Sequence, residues 1–251
     1  MTSRPSYDEI GRDYARYRRA DPRIAAQVRA GLAGTRSVVD VGAGTGSYEP
    51  TDRPVLAIEP SAVMIGQRPP GAAPVVRATA AHLPIADGVF DAAMAVLTVH
   101  HWPDVVAGLR EMTRVAESIV ILSFDPVVHR RFWLLEDYLP EVNELPSAGV
   151  PPPGELARMV GAQTVEVVPV PADCVDGFNW AYWRRPHAYL DPGVRACISG
   201  IASLPADLVE ARMARLARDL DDGTWLGHHR DLMARPTVDG GFRLIVRHPL
   251  P

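Results

Sequence analysis

The chain has 251 residues, 47% hydrophobic and 22% charged, with a net charge of −4 and a pI near 6.1. Such a length supports a sizeable core and predicts one α/β domain with an embellishment, and the acidic balance offers no electrostatic footprint for nucleic acid. All 26 basic residues are arginine, which excludes a lysine Schiff base and a P-loop, since both need the lysine amine.

The chain starts polar and charged, Met1 to Tyr14, without the apolar region of a signal peptide, so a cytoplasmic home is expected. The segment from Tyr7-Asp8-Glu9-Ile10 to Tyr14-Ala15-Arg16-Tyr17-Arg18-Arg19 has a weak helical period. It reads either as a solvated amphipathic arm or as a flap whose Tyr and Arg side chains close over a ligand. A helix is predicted from Asp21-Pro22, with Ile24, Val28 and Leu32 at spacing four and Gly34 as its stop.

Val38-Val39-Asp40-Val41 is an apolar run ending at Gly42-Ala43-Gly44-Thr45-Gly46-Ser47. It predicts a buried strand that turns into a loop passing close to a ligand, because glycine accepts positive φ and has no Cβ to hold the ligand off. Val55-Leu56-Ala57-Ile58-Glu59 is a second apolar run closed by a carboxylate. Glu59 stands roughly 20 residues past the loop, where an acidic side chain commonly accepts from ribose hydroxyls. Pro60-Ser61 then opens a short helix carrying Met64.

Val75 to Ala80, His82-Leu83-Pro84 and the turn signal Asp87-Gly88 come next. Phe90 to Leu97 reads as a buried parallel strand, and the apolar run Val89–Val99, interrupted by Asp91, is too short to span a bilayer. Thr98-Val99-His100-His101-Trp102 closes it. Asp104 can cap a helix with Val105, Leu109, Met112 and Ala116 on its apolar face, and Ile119 to Phe124 is a further buried strand. This alternation predicts a doubly wound sheet with ligands at the strands' C-terminal ends.

Phe132 to Leu139 reads as a helix exposing large aromatics, Pro146 to Gly154 as a linker, and Thr164 to Val170 as an edge strand. Ala172 to Val238 holds Trp180, Tyr182, Trp183 and an amphipathic helix with Leu208, Arg212, Leu216 and Leu220; Asp239-Gly240-Gly241 turns into a last strand, Phe242 to Val246. Cys174 and Cys197 are too isolated to suggest disulfides or a metal cage.

These features in order resemble the class I S-adenosylmethionine-dependent methyltransferases, in particular the small-molecule branch of the ubiquinone/menaquinone type. The resemblance rests on Val39 to Gly46, the Glu59 strand end, the Leu83-Pro84…Asp87…Phe90-Asp91 block, and His100 to Asp104. It implies a seven-stranded, mostly parallel Rossmann-like sheet with the last strand antiparallel. The expected organisation is 1–125 as donor-binding core with an N-terminal flap, 126–154 as cap insertion, 155–171 as the sixth-strand region, 172–238 as a helical cap insertion and 239–251 as the last strand. The two insertions are expected to wall off the acceptor.

The resemblance also implies S-adenosylmethionine as methyl donor, S-adenosylhomocysteine as product, and direct displacement at the sulfonium methyl by a small hydrophobic or aromatic acceptor. Nucleic-acid and membrane partners are not expected, and the oligomeric state stays open between monomer and homodimer. Gly42, Ala43, Gly44 and Gly46 would line the donor, Asp40 face its amino group, and Glu59, with Pro60 and Met64 beside it, bind the ribose. Thr79, Ala80 and Ala81 would meet adenine; Leu97 and Thr98 would line the sulfonium side; Tyr14 and Arg18 would belong to the closing arm. Thr79 stands where the family often has aspartate. His100 and His101 are candidate bases, ahead of His129, Tyr138, His228 and His229; His101, Trp133, Tyr138, Trp180 and Trp183, with Tyr182 near them, are candidates for the acceptor pocket. The alternatives are a non-catalytic donor-binding regulator and an NAD-dependent oxidoreductase, whose third glycine would fall at Ser47.

Overall fold

A computed structural model describes residues 14–145 and 151–249. The expected features at Tyr7–Ile10 and at residues 146–150 lie outside the described residues. The chain divides into two compact units. One comprises Ala20–Pro126, Val168 and the residues before it from 151, and the chain from Gly241; the other comprises the described residues of Met1–Arg19, Val127–Ser147 and Pro169–Gly240. The described part of the N-terminal arm, residues 14–19, thus clusters with the insertions.

The first unit holds a seven-stranded sheet in the order β3-β2-β1-β4-β5-β9-β6. Its strands are β1 (Val38–Val41), β2 (Val55–Ile58), β3 (Val75–Val76), β4 (Phe90–Val96), β5 (Ala116–Phe124), β6 (Thr164–Val167) and β9 (Phe242–Arg247). The pairs from β3 to β5 are parallel, while β9 runs antiparallel to both β5 and β6. This is the sheet the resemblance implies, Rossmann-like and with the last strand of the chain reversed. Strand order reverses direction at β1/β4, the switch point where ligands bind α/β sheets.

The local signals explain the elements. Asp21 accepts from Arg23 N to cap Pro22–Gly31, and Asp104 accepts from Ala107 N to cap Val105–Val115, satisfying amides left over at a helix start. Leu109, Met112 and Val115 then pack with Val39, Val41, Ile119, Ile121 and Ile245. The Leu83/Asp87/Asp91 block turns out to be a set of struts. Arg114 donates to Leu83 O, Ile85 O, Asp87 and Glu111, while Asp91 accepts from Arg36 N and Ser37 N. The first set ties the approach to β4 to the helix behind it, and the second ties the start of β4 to the start of β1.

β3 stops at Val76, and beyond it a bridge joins Thr79 to His82. Two expectations are corrected. The predicted edge strand divides into β6, on the sheet's outer edge, and β7 (Val170–Pro171), which pairs with β8 (Thr237–Val238) in a separate ladder. Pro169 lies between them, and a residue without an N–H cannot extend the ladder as a donor. Finally, Phe132, Trp133, Leu134, Leu135, Tyr138 and Leu139 are buried rather than exposed.

That burial defines the second unit's core. Phe132 stacks on Trp180 with centroids 4.5 Å apart, and Trp133 meets Tyr138, Tyr189, Trp225 and His229 within 6.1 Å. Trp133 Nε1 donates to Trp183 O and Trp183 Nε1 to Pro171 O, so both buried indoles have partners. The insertion is helical, with Ala206–Asp221 and Thr224–Met233 its longest helices. The buried stripe of Ala206–Asp221 is Val209, Met213 and Leu216, turned by about one residue from the predicted face. Among the described residues no helix is long and apolar enough to cross a membrane.

Candidate donor site

The site is built at the C-terminal ends of β1, β2 and β4. Gly42 N and Ala43 N both donate to Ile58 O, so the loop leaving β1 folds back over the end of β2. Gly42, Gly44 and Gly46 have φ of +76°, +54° and +85°, a region that favours glycine. Each glycine also has a separate steric reason. A Cβ at Gly42 would overlap Thr98 Oγ1 and stand 3.0 Å from Thr98 Cβ. One at Gly44 would stand 3.3 Å from Met64 Cε, and one at Gly46 would stand 3.1 Å from the Glu49 carboxylate and 3.2 Å from Arg68. The third glycine therefore makes room for an ion pair, a reason invisible in the GxGxG spacing.

Glu59 anchors the loop. Its Oε2 accepts from Gly44 N and its Oε1 from Ser61 N, each at 2.8 Å, and the residue is 6% exposed. Ser61 in turn caps Ala62–Gly66, accepting from Met64 N, which sets Met64 against the loop. A carboxylate oxygen can accept more than one hydrogen bond, so these two bonds do not preclude a ribose contact at Glu59.

On the β4 side, Leu97 has φ +52°, the only positive φ outside glycine among the described residues. Its N donates to Leu122 O, which holds this strained turn in place. The turn directs Thr98 toward Gly42 and leads into the one-turn helix Val99–His101. The His100 and His101 rings lie 3.8 Å apart, and His100 meets Phe124 edge-on at 5.2 Å. Thr79 is exposed while Ala80 and Ala81 are half-buried. A Cβ at Gly108 would lie 2.5 Å from Trp102 and 3.2 Å from Ala80, so that glycine lets Trp102 pack beneath the Ala80 segment. Sequence reasoning missed Gly108, Glu49 and Arg68; a helix-interior glycine facing an aromatic was the available hint for the first.

Electrostatically the loop is crowded with acids. Burial pushes the Asp40 carboxyl well above the usual range, Glu49 and Glu59 push the same way, and Arg68 opposes them. A site where three carboxylates meet one guanidinium suits a cationic ligand, and S-adenosylmethionine carries an ammonium and a sulfonium. The residues present therefore fit that donor.

Because Asp40's folded value lies above its unfolded one, the protonated form stabilises the fold. That contribution is complete below about pH 4 and is lost as pH rises through the folded value. Asp40→Asn is expected to melt higher than the parent at pH 8, with the difference shrinking toward pH 4, and to bind S-adenosylhomocysteine roughly tenfold more weakly. Thermal melts at several pH values with calorimetric titration check this; a lower melting point at pH 8 contradicts it.

The remaining expected residues lie in the other unit. Arg18 pairs with Asp176 at 2.6 Å and donates to Tyr14 OH at 2.6 Å. Trp133, Tyr138, Trp180 and Trp183 are buried in the aromatic core described above. Tyr182 lies beside them, its ring 5.6 Å from Tyr189. His129 is fixed between Gly240 O and Asn179 Nδ2, and burial lowers it to about 4. His229 pairs with Asp137 at 3.0 Å, and burial lowers it while Asp137 opposes. His228 is its ring neighbour. Among the described residues no group of His, Cys, Asp and Glu could hold a metal ion.

Comparison with known proteins places this geometry. Residues 39–123 match a family model described as a methyltransferase domain. A solved structure described as a putative methyltransferase from an antibiotic biosynthesis pathway of Anabaena variabilis ATCC 29413 is 30% identical, with 92% of this chain and 98% of that chain covered and a TM-score of 0.84. A Thermotoga maritima structure, described as an S-adenosylmethionine-dependent methyltransferase and possible histamine N-methyltransferase, is 23% identical over 59% of this chain and 73% of that one, at TM-score 0.47. No significant match was found among curated proteins.

Proposed function

The chain belongs to the class I S-adenosylmethionine-dependent methyltransferases, and on that premise we propose that its acceptor is a small hydrophobic or aromatic molecule. The observation that carries this reading is the match to the Anabaena variabilis protein, whose description names an antibiotic biosynthesis pathway. It extends over 92% of this chain, insertions included, so the resemblance is not confined to the donor-binding core.

Bound S-adenosylmethionine supplies a methyl sulfonium, an activated electrophile open to direct displacement by an acceptor lone pair. The protein's work is then alignment and exclusion of water. Glu59 holds the ribose hydroxyls with Pro60 and Met64 beside them, Asp40 faces the amino group, and Gly42, Ala43 and Gly44 line the donor with backbone. Thr79, Ala80 and Ala81 meet the adenine, and Leu97 and Thr98 border the transferring methyl group. Trp133, Tyr138, Trp180 and Trp183 remain the aromatic candidates for contact with the acceptor, and Tyr14 and Arg18 the candidates for a closing arm.

An acceptor that is a hydroxyl, a protonated amine or a carbon acid must lose a proton, and His100 and His101 are the proposed bases. Their place after β4, past the turn at Leu97, supports this. Radiolabelled methyl transfer to a panel of phenols, amines and β-dicarbonyls tests the acceptor class; labelling of nucleic acid or protein instead would refute it. With an acceptor in hand, Asn at the base position should slow turnover by about a hundredfold with S-adenosylhomocysteine affinity within about twofold. Unchanged turnover in both His100→Asn and His101→Asn removes them as bases.

A further inference from the structure

Glu49 and Arg68 stand nineteen positions apart in a part of the chain that carries no recognised motif, yet they meet as a buried ion pair at 2.5 Å with side chains 8% and 5% exposed. Their other bonds reach the backbone on both sides of the loop. Arg68 Nη1 donates to Gly44 O at 3.2 Å and Nη2 donates to Ala73 O at 3.1 Å. Glu49 Oε2 accepts from Ala73 N at 3.1 Å. One guanidinium and one carboxylate thereby link the glycine loop, the segment after it, the chain leaving helix Ala62–Gly66 and the approach to β3.

The backbone accommodates this pair. Gly46, at φ +85°, leaves open the space where a Cβ would press on both Glu49 and Arg68. Gly44 is held from two sides, its N–H by Glu59 and its C=O by Arg68. A peptide fixed at both its donor and its acceptor has little freedom to leave its left-handed conformation. Breaking a buried ion pair by removing one partner is costly, because the survivor keeps an uncompensated charge.

We propose that Arg68 and Glu49 are positioning residues for the methyl donor, a buried clip that holds the glycine loop in its binding conformation. The inference rests on the reading of that loop as the donor site. The clip acts through Gly44, and Arg68 also opposes the charge that Asp40 feels from Glu49 and Glu59. A loop that visits its competent conformation a tenth of the time binds about tenfold more weakly, which sets the size of the effect.

The test uses the full chain with S-adenosylhomocysteine as the calorimetric probe, well below the melting temperature. Arg68→Gln and Glu49→Gln should each weaken binding by about tenfold. The double variant should lose no more than the worse single, since both remove one clip. Arg68→Lys should recover part of the affinity, keeping the charge without the planar fork. In Arg68→Gln the affinity should also start to fall at higher pH than in the parent, because Asp40, faced by Glu49 and Glu59, loses the opposing charge of Arg68. Glu59→Gln serves as the control for the site. If Glu59→Gln weakens binding while Arg68→Gln and Glu49→Gln stay within twofold of the parent, the clip is merely structural and the proposal fails. If Glu59→Gln itself has no effect, the reading of the glycine loop as donor site fails instead.

Discussion

Glu59→Ala is expected to weaken S-adenosylhomocysteine binding by roughly a hundredfold or more, the largest loss at any single position of the donor site. The carboxylate accepts two backbone N–H groups at 2.8 Å and, on the proposed reading of the site, also accepts from the ribose hydroxyls. Hydrogen bonds to a charged group contribute about 1.5–3 kcal/mol each. Truncation removes the ribose contacts and also leaves Gly44 N without its acceptor, so the loop loses contact and conformation together. Glu59→Gln is expected to fall between the parent and Glu59→Ala, because its amide must turn one donor toward Gly44 N or Ser61 N. Calorimetry alongside a thermal melt separates binding from folding. An affinity within fivefold of the parent in a folded Glu59→Ala protein would exclude Glu59 from the donor site.

The parts of this site legible in the sequence were those carried by local pattern. The apolar runs of β1, β2, β4 and β5, the capping aspartates Asp21 and Asp104, and the positive-φ glycines each announce themselves within a few residues. What stayed hidden depends on partners brought close by folding. Glu49 and Arg68 look like any exposed charges until both are buried against the loop. Gly46 reads as a ligand-approach glycine, yet the nearest atoms to its missing Cβ belong to those two side chains. The Leu83/Asp87/Asp91 block signals the family, while its bonds to Arg114, Arg36 and Ser37 are structural. Leu97 gives no sign of its left-handed backbone, because a leucine there is held by the Leu122 carbonyl of the neighbouring strand rather than by its own preference.

The same limit misled the reading of Phe132 to Leu139, and it makes Trp133 the most informative residue of the second unit. Its aromatic neighbours Tyr189, Trp225 and His229 lie 50 or more positions away, so nothing local marks the face they cover. Trp133 is 4% exposed and its indole N–H is satisfied by Trp183 O. Trp133→Ala removes a whole indole from this cluster and leaves that carbonyl without its donor. Large-to-small changes of this kind cost about 3–5 kcal/mol, which predicts a fall in the unit's melting temperature of roughly 10 °C or more. Trp133→Phe keeps most of the packing and should recover the greater part. The two roles proposed for this residue separate cleanly under this measurement. If Trp133 serves first as core, the melting temperature drops and the Phe variant restores stability and acceptor KM together. If its indole chiefly faces the acceptor, the Ala variant melts close to the parent while acceptor KM rises, and the packing argument made for it is wrong.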